Sequence, residues 1–331
     1  MIISEKMNEA LLETISKFKD TKILVIGDIM LDKYVWGDVS RISPEAPVQV
    51  VKALKETYSP GGAANVANNI AALGGEAHVI GLVGDDDAKE ILIAELDNKG
   101  INTSGIIIDK ERPTIQKVRL IGRNQQLLRV DYEKNHKVSD DIESTLIDFI
   151  ISNIDYFDGL VISDYAKGII TDITSSQIIK LCNEKNKIIV VDPKPHNKRF
   201  YKKTTLITPN HTEAIQMATS IEKENSDQEI EEIGKTLQDE LQTSILITRG
   251  EKGMSLFENN EITHIPTYAK EVYDIVGAGD TSVATLTLAL ACKATKKQAA
   301  ILANHAAGIT VGKIGTSTSS IEELKNSIQN E

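Results

Sequence analysis

The chain has 331 residues, 41% of them hydrophobic and 26% charged, an ordinary composition for a folded protein that allows one large core. Its net charge of −11 argues against nucleic acid as a partner, because phosphate backbones are held by an excess of Lys and Arg. No apolar run approaches the roughly 18 residues of a membrane span, and residues 1–20 scatter charges without an apolar core or cleavage signal, so neither a membrane segment nor a signal peptide is expected. Cys182 and Cys292 show no metal or CxxC spacing and are expected to pack in the core, in keeping with a reducing cytoplasm.

Residues 22–27 form a short β-branched apolar run ending in glycine, the pattern of a buried central strand. Asp28 and Asp32 follow at its carboxyl end, where open parallel sheets bind ligands, so both are candidates for holding ligand hydroxyls; the alternative is a pair of turn or helix caps. Between 34 and 58 the pattern breaks around Gly37, Pro44 and Pro47, which predicts a small β excursion. Gly61-Gly62 then turns the chain into an Ala-rich helix that stops at Gly74-Gly75. Asn65 and Asn69 share one face of it, either toward a ligand or as packing polarity. A strand over 77–83, a helix capped by Asp85 and running to Asn98, and a strand over 105–108 come next.

Residues 114–131 read as a hairpin turning at Gly122-Arg123-Asn124. Lys117 and Arg119 share one face, Val118 and Leu120 the other, and the return strand carries Arg129. Basic residues gathered on a hairpin of so acidic a chain either hold an anionic group of the substrate or form a solvated edge. From 140 onward helices over 140–152, 172–186 and 229–241 alternate with strands over 159–163, 187–191, 205–208 and 244–248. That alternation predicts an α/β fold with a mostly parallel sheet and helices on both faces. Asp164, Asp192, Asn210 with Glu213, and Arg249-Gly250 fall at strand ends, and helices over 297–311 and 319–329 close the chain.

Residues 274–281, Asp-Ile-Val-Gly-Ala-Gly-Asp-Thr, lead into a long apolar run without Pro or Gly. This reads as a tight loop feeding a buried helix, whose first N–H groups lack partners and whose dipole adds positive charge. Gly277 and Gly279 remove the Cβ atoms that would keep an anion from the backbone. A carboxylate beside an anion site repels a resting phosphate, so Asp280 makes most sense as a base for an attacking hydroxyl; alternatively Asp280 or Thr281 only caps the helix.

Residues 61–67 and 277–281, in this order on an alternating chain, resemble the two signatures of the ribokinase or PfkB-type sugar kinases. Stretches 27–32, 40–48, 125–131, 163–168, 192–194, 208–213 and 248–254 are similar to the branch acting on D-glycero-β-D-manno-heptose 7-phosphate, so the similarity covers nearly the whole chain. The resemblance implies a Rossmann-like, ribokinase-like domain over 1–331 with a β lid from insertions at about 34–58 and 113–131, dimerising through that lid. It implies ATP with Mg²⁺, and K⁺ as a monovalent cation. Asp280 would be the base on the anomeric hydroxyl, with the amides of Gly277, Ala278 and Gly279 as anion hole.

Asn210 and Glu213 would order Mg²⁺ through water, and Lys194, Asn210, Thr248 and Gly250 would line the nucleotide phosphates and ribose. Asn304 and Gly308 would lie near the adenine, and Asp274 with the carbonyl of Ile275 around the monovalent cation. Asp28, Asp32, Gly61, Gly62, Asn65, Arg129, Asp164 and Lys167 would hold the sugar phosphate, its phosphate falling to basic residues among Lys117, Arg119, Arg123, Arg129 and Lys167. Val276 departs from the usual Thr or Ser, and Ala166 from the usual Gly. Many heptose enzymes are fused to a nucleotidyltransferase domain; with its end at Glu331 this chain is expected to be a stand-alone kinase. The implied reaction is phosphorylation of the C1 hydroxyl to the 1,7-bisphosphate, for nucleotide-activated heptose and surface glycans. A kinase for another sugar or nucleoside, and a sugar-binding regulator without catalysis, are the rivals. His211 and His305 need no catalytic role.

Overall fold

Strand β1 (Lys22–Gly27) shows why the fold is layered. Its side chains alternate across the sheet, so fully buried Ile23 and Val25 join one apolar core while Leu24 and Ile26 join another. A strand buried on both faces needs helices on both sides. The computed structural model describes residues 5–123, 125–218, 224–269, 271–313, 315 and 317–330; Met1 to Ser4, Asn124 of the expected turn, and Glu331 lie outside the described residues.

The remaining strands are β2 (Ile29–Ile42), β3 (Gln49–Gly62), β4 (Glu76–Val83), β5 (Asn102–Ile108), β6 (Ile115–Gly122), β7 (Gln125–Tyr132), β8 (Gly159–Ser163), β9 (Ile188–Asp192), β10 (Leu206–Ile207), β11 (Ser244–Thr248), β12 (Met254–Glu258) and β13 (Glu261–Ile265). The helices are α1 (Glu5–Ser16), α2 (Ala63–Ala72), α3 (Asp87–Asp97), α4 (Asp140–Asn153), α5 (Asp172–Glu184), α6 (His211–Ala218), α7 (Asp227–Leu241), α8 (Ala278–Ala291), α9 (Lys296–Val311) and α10 (Ile321–Gln329).

A nine-stranded sheet runs β13-β12-β11-β10-β9-β8-β1-β4-β5, parallel except where β12 pairs with β11 and with β13. Helices α1, α2, α3, α8, α9 and α10 cover the face of Ile23 and Val25, and α4 to α7 cover the other. The expected α/β sheet with helices on both faces is therefore present. Cys182 is buried in the second core, and Cys292 is half-buried with its Sγ 3.1 Å from Thr21 Oγ1. Among the described residues no helix is long and apolar enough to cross a membrane.

A second, four-stranded sheet runs β3-β2-β6-β7. Its strand β2 begins directly after Asp28, so one residue separates the two sheets and Asp32 lies within a strand, not at a cap. Gly61 and Gly62 end β3 instead of making a free turn, and α2 starts at once with Gly62 at φ 57 before it. The cap of α3 is Asp86, whose side chain accepts from the Lys89 N–H; Asp85 instead pairs with the Lys89 ammonium at 2.9 Å.

Candidate active site

Helix α8 packs over β8 and β9, and its N-terminus faces the carboxyl ends of the central strands. Gly277 precedes it at φ 85, a left-handed conformation that favours glycine. The first helical bond runs from Thr281 N to Gly277 O at 3.0 Å, so the N–H groups before Thr281 begin without helical partners. Ala278 N makes a long 3.4 Å contact with the Ile275 carbonyl, which turns that amide back toward the loop. Around Gly279 nothing stands within 4 Å of where a Cβ would be, so its backbone is open to a ligand.

Asp280 sits in this first turn and is only 7% exposed. Its Oδ2 accepts from the Asn65 amide at 2.7 Å and its Oδ1 from the Tyr165 hydroxyl at 3.1 Å. Burial pushes its carboxyl up to about 6, against the two hydrogen bonds, with the charge of Asp32 adding to the rise and that of Lys194 opposing it. Asn69 and Thr281 extend the network: the Thr281 hydroxyl donates to Asn69 Oδ1 at 2.7 Å, and Asn69 Nδ2 donates to the Asn65 carbonyl at 2.9 Å. Asn65 thus lies on α2 as expected but faces the base, and α2 and α8 lock its rotamer.

Asp280, Gly277 and Gly279 border a cleft of about 170 Å³ with Lys194, Asn210, Glu213 and Thr248, together with Tyr165, Asp192, Thr208 and Ser282. The Asn-x-x-Glu motif is, in the structure, a capping box on α6: Asn210 Oδ1 accepts from Glu213 N at 2.9 Å and Glu213 Oε2 accepts from Asn210 N at 3.0 Å. The other Glu213 oxygen holds the Lys194 ammonium at 2.5 Å. Burial and the charges of Asp280 and Glu213 push the Asp192 carboxyl well above its ordinary range. Three carboxyl groups thus face Lys194 in one cleft, a set of oxygen donors that suits a hard divalent cation. Among the described residues no three His, Cys, Asp or Glu side chains form a ready metal cage, so such an ion would rely on water and phosphate oxygens.

Several sequence-derived ligand candidates make bonds within the protein. Asp28 is 3% exposed and its Oδ2 accepts from the N–H groups of Tyr165 at 2.9 Å and Lys167 at 3.1 Å; burial and then the charge of Asp164 raise its carboxyl to about 6. Asp164 is fully buried, accepting from Ala166 N, Asn197 Nδ2 and the Tyr201 hydroxyl. Both therefore build the loop after β8, Asp164 through both carboxylate oxygens and Asp28 through Oδ2. Gly61 and Gly62 are buried, and Cβ atoms there would meet Asp32 Oδ2 at 2.6 Å and the Asp28 carbonyl at 2.4 Å, so these glycines serve close packing of β3. Asn304 is 4% exposed with its amide on the Pro266 carbonyl at 2.6 Å, and a Cβ at Gly308 would meet Ala269 N at 3.0 Å. Neither residue lines the cleft; both seat α9 on the segment after β13. Gly250 stands at φ 61 with open space around it.

Asp274 accepts from Val276 N at 3.0 Å and Gly315 N at 3.1 Å, beside an Ile275 that is 74% exposed. Asp32 pairs with Arg119 across the second sheet, and burial raises its carboxyl despite that guanidinium. Glu133 bridges Lys117 at 2.5 Å and Lys167 at 2.8 Å, while Asp131 takes Lys117 at 3.0 Å and Arg129 at 2.9 Å. The basic residues of the hairpin are thus brought together but already matched with acids. Arg123 stands apart at the turn, donating to the Val39 carbonyl at 2.8 Å. His305 is buried and stacked on Tyr268 at 3.7 Å, and burial holds it down to about 4, so its role is structural; His211 opens α6.

Tyr165, Thr208 and Ser282 are cleft residues that the sequence did not single out, and Asp192 is noted there only as a strand-end acid. Asp192 and Thr208 carry a signal, since they end or follow strands on the binding edge; Tyr165 becomes visible only when the loop is folded.

The pfkB family carbohydrate kinase profile matches residues 20–324. Bifunctional protein HldE of Desulfatibacillum aliphaticivorans is 42% identical over 318 residues, covering 96% of this chain and 65% of that protein. Bifunctional protein HldE of Helicobacter pylori strain J99 is 42% identical over 304 residues, covering 92% of this chain and again 65% of the relative. The chain therefore spans less than two thirds of the length of these relatives. Among solved structures, phosphofructokinase-2 from Escherichia coli in complex with potassium aligns with a TM-score of 0.78 at 18% identity, over 94% of this chain and 99% of that one. Ribokinase from Thermotoga maritima aligns with a TM-score of 0.73 at 23% identity, over 94% and 100%. At such identities the likeness shows the fold, which is ribokinase-like. With the profile spanning nearly everything between α1 and α10, the chain belongs to the pfkB family of carbohydrate kinases.

Proposed function

We propose that this kinase phosphorylates the C1 hydroxyl of D-glycero-β-D-manno-heptose 7-phosphate to the 1,7-bisphosphate, in the cytoplasm, as a step toward nucleotide-activated heptose for surface glycans. The observation that carries the transfer is the buried Asp280 carboxylate, held by two neutral donors in the first turn of α8. Its raised proton affinity lies close to working pH, which suits a general base. The acceptor assignment rests on the heptose-type motifs, the HldE relatives, and the Lys117, Arg119, Arg129 and Lys167 cluster beside Asp32. An unphosphorylated sugar needs no such cluster.

In this reading Asp280 takes the C1 proton as the oxygen attacks; the new O–P bond forms, the bond from the γ-phosphorus to its bridging oxygen breaks, and ADP leaves. The amides of Gly277 and Gly279, with the dipole of α8, stabilise the charge on the transferring group, and Ala278 contributes less because its N–H leans on Ile275. Val276 brings no hydroxyl to this loop. Lys194 and Thr248 bind nucleotide phosphates, with Gly250 beside them. Glu213, Asn210 and Asp192 would hold Mg²⁺ through water, and that ion supplies charge neutralisation between phosphates. Asp274 and the Ile275 carbonyl would hold K⁺.

The test is coupled ADP release with heptose 7-phosphate offered beside ribose, fructose and fructose 6-phosphate. The heptose should be preferred by about 10²-fold or more in kcat/KM over the neutral sugars, since only a phosphate can draw Lys117, Arg129 and Lys167 from Asp131 and Glu133 into charge-assisted bonds with the substrate. Turnover with another sugar alone would sink the acceptor assignment and leave the kinase intact.

The second sheet acts as a lid within one domain over 1–331, closing on the sugar so that water does not compete. On the face of Lys33 and Glu56, the hairpin β6–β7 carries exposed apolar side chains: Leu128 is 54% and Val130 36% exposed, cross-strand from Leu120 and Val118. A second copy covers that face in a homodimer. Leu128→Glu should convert a dimer to a monomer by light scattering; a monomeric parent protein would contradict the assignment.

A further inference from the structure

The loop between β8 and α5 is fastened at several points. One buried carboxylate oxygen, Asp28 Oδ2, takes the N–H groups of Tyr165 and Lys167, and Asp164 Oδ1 takes that of Ala166 at 2.6 Å. Asp164 Oδ2 is in turn held by Asn197 at 2.7 Å and Tyr201 at 2.5 Å. Ala166 at φ 56 and Gly168 at φ 101 complete a tight course, and the Arg112 guanidinium donates to the Lys167 carbonyl at 3.1 Å. Such a loop has little freedom to move. What it extends into the cleft is the Tyr165 ring, with its hydroxyl on Asp280 Oδ1.

Resting on Asp280 as the base, we propose that Tyr165 is a positioning residue of the phosphoryl transfer: its hydroxyl fixes the Asp280 carboxylate toward the acceptor and favours its ionised form. The geometry divides the task. Asn65 approaches one carboxylate oxygen from α2, and Tyr165 approaches the other from the far side of the cleft, so rotation of the carboxylate breaks one bond or both. The other charged groups facing Asp280 are Asp32 from β2, Asp192 at the end of β9 and Lys194 just beyond it. Two carboxyls against one ammonium favour protonation, and so does burial; the two neutral donors are what oppose it. Tyr165 cannot serve as the base itself, because burial and the Asp280 charge keep its phenol protonated far above ordinary pH. It remains a donor throughout the working range. The buried Asp28 and Asp164 gain a role from this: they hold the loop that aims Tyr165.

Tyr165→Phe removes the hydroxyl while keeping the ring that lies 5.3 Å from the Lys194 ammonium. The Asp280 carboxyl can be followed directly by ¹³C NMR of aspartate-labelled protein without substrates, using Asp280→Asn to assign the signal. Its midpoint, about 6 in the parent, should rise by about one pH unit in the variant, the worth of one lost hydrogen bond to the charged form. With ATP, Mg²⁺ and heptose 7-phosphate, the acid limb of kcat should rise equally. At neutral pH kcat should fall about tenfold and the acceptor KM change less than about twofold. An unchanged midpoint in a variant with parental near-UV circular dichroism overturns the proposal, as does a change confined to KM. If the parent ignores heptose 7-phosphate, the acceptor assignment fails, and the NMR titration still decides the role of Tyr165.

Discussion

Replacing Asp280 with Asn is expected to lower kcat by about 10³-fold, with ATP binding preserved, because the amide fills the same space and cannot accept the C1 proton. The parent enzyme should itself lose activity as pH falls through about 6, tenfold per pH unit, as Asp280 becomes protonated. The sign for stability is the reverse. Asp28 and Asp280 both have folded-state values near 6 against an ordinary 3.8, so between those limits the native state binds more protons than the unfolded chain. Stability contributed by these groups is therefore greatest below about pH 4 and is lost as pH rises through 6. Asn at 280 removes one buried charge, and the variant should be no less stable than the parent at neutral pH and less dependent on pH. Steady-state kinetics and urea unfolding from pH 5 to 8 check both halves. A variant retaining more than a tenth of parental kcat would remove Asp280 from the base position.

The parts of this fold that were legible in the sequence are those whose burial is complete. β1, β8 and β11 read as apolar runs because helices cover both faces, and α8 is buried all round because it lies over β8 and β9 and packs against α2 and α9. The hairpin β12–β13 was missed, although Asn259-Asn260 at φ 49 and 63 is a two-residue turn that its sequence advertises. Helix α6 is not legible in the sequence because Asn210 and Glu213, which form its capping box, lie in a stretch that marks a phosphate and Mg²⁺ motif as readily as a helix start. At the site, Asp280 and the glycines were legible because their chemistry is local to one turn. The partners of Asp28, Asp164 and Asn304 were not, since each includes a group distant in the chain: Tyr165 N, the Tyr201 hydroxyl and the Pro266 carbonyl. A strand-end acid looks the same in sequence whether it meets a sugar or a loop.

Gly27→Ala is expected to cost about 3–5 kcal/mol, a large part of the stability of an ordinary domain. A Cβ at residue 27 would lie 1.9 Å from the Ser163 carbonyl oxygen and 3.1 Å from the Ala63 Cβ. The first neighbour is backbone and cannot rotate away. Gly27 is registered opposite Ser163 where β1 and β8 pair, and Asp28 N donates to the same Ser163 oxygen at 3.3 Å. Relief would have to come from parting the two central strands at their carboxyl ends. Those ends carry Asp28 and Asp164, which hold the Tyr165 loop, so molecules that still fold should also lose activity. Gly100→Ala is the control: Gly100 has positive φ, 71, with no atom within 4 Å of a Cβ, and that backbone strain alone should cost about 1 kcal/mol with kcat unchanged. Urea midpoints and kcat for the two variants separate the effects. Equal losses of stability would mean that the β1–β8 contact yields easily, and that the closeness of the central strands does not set the geometry of the base.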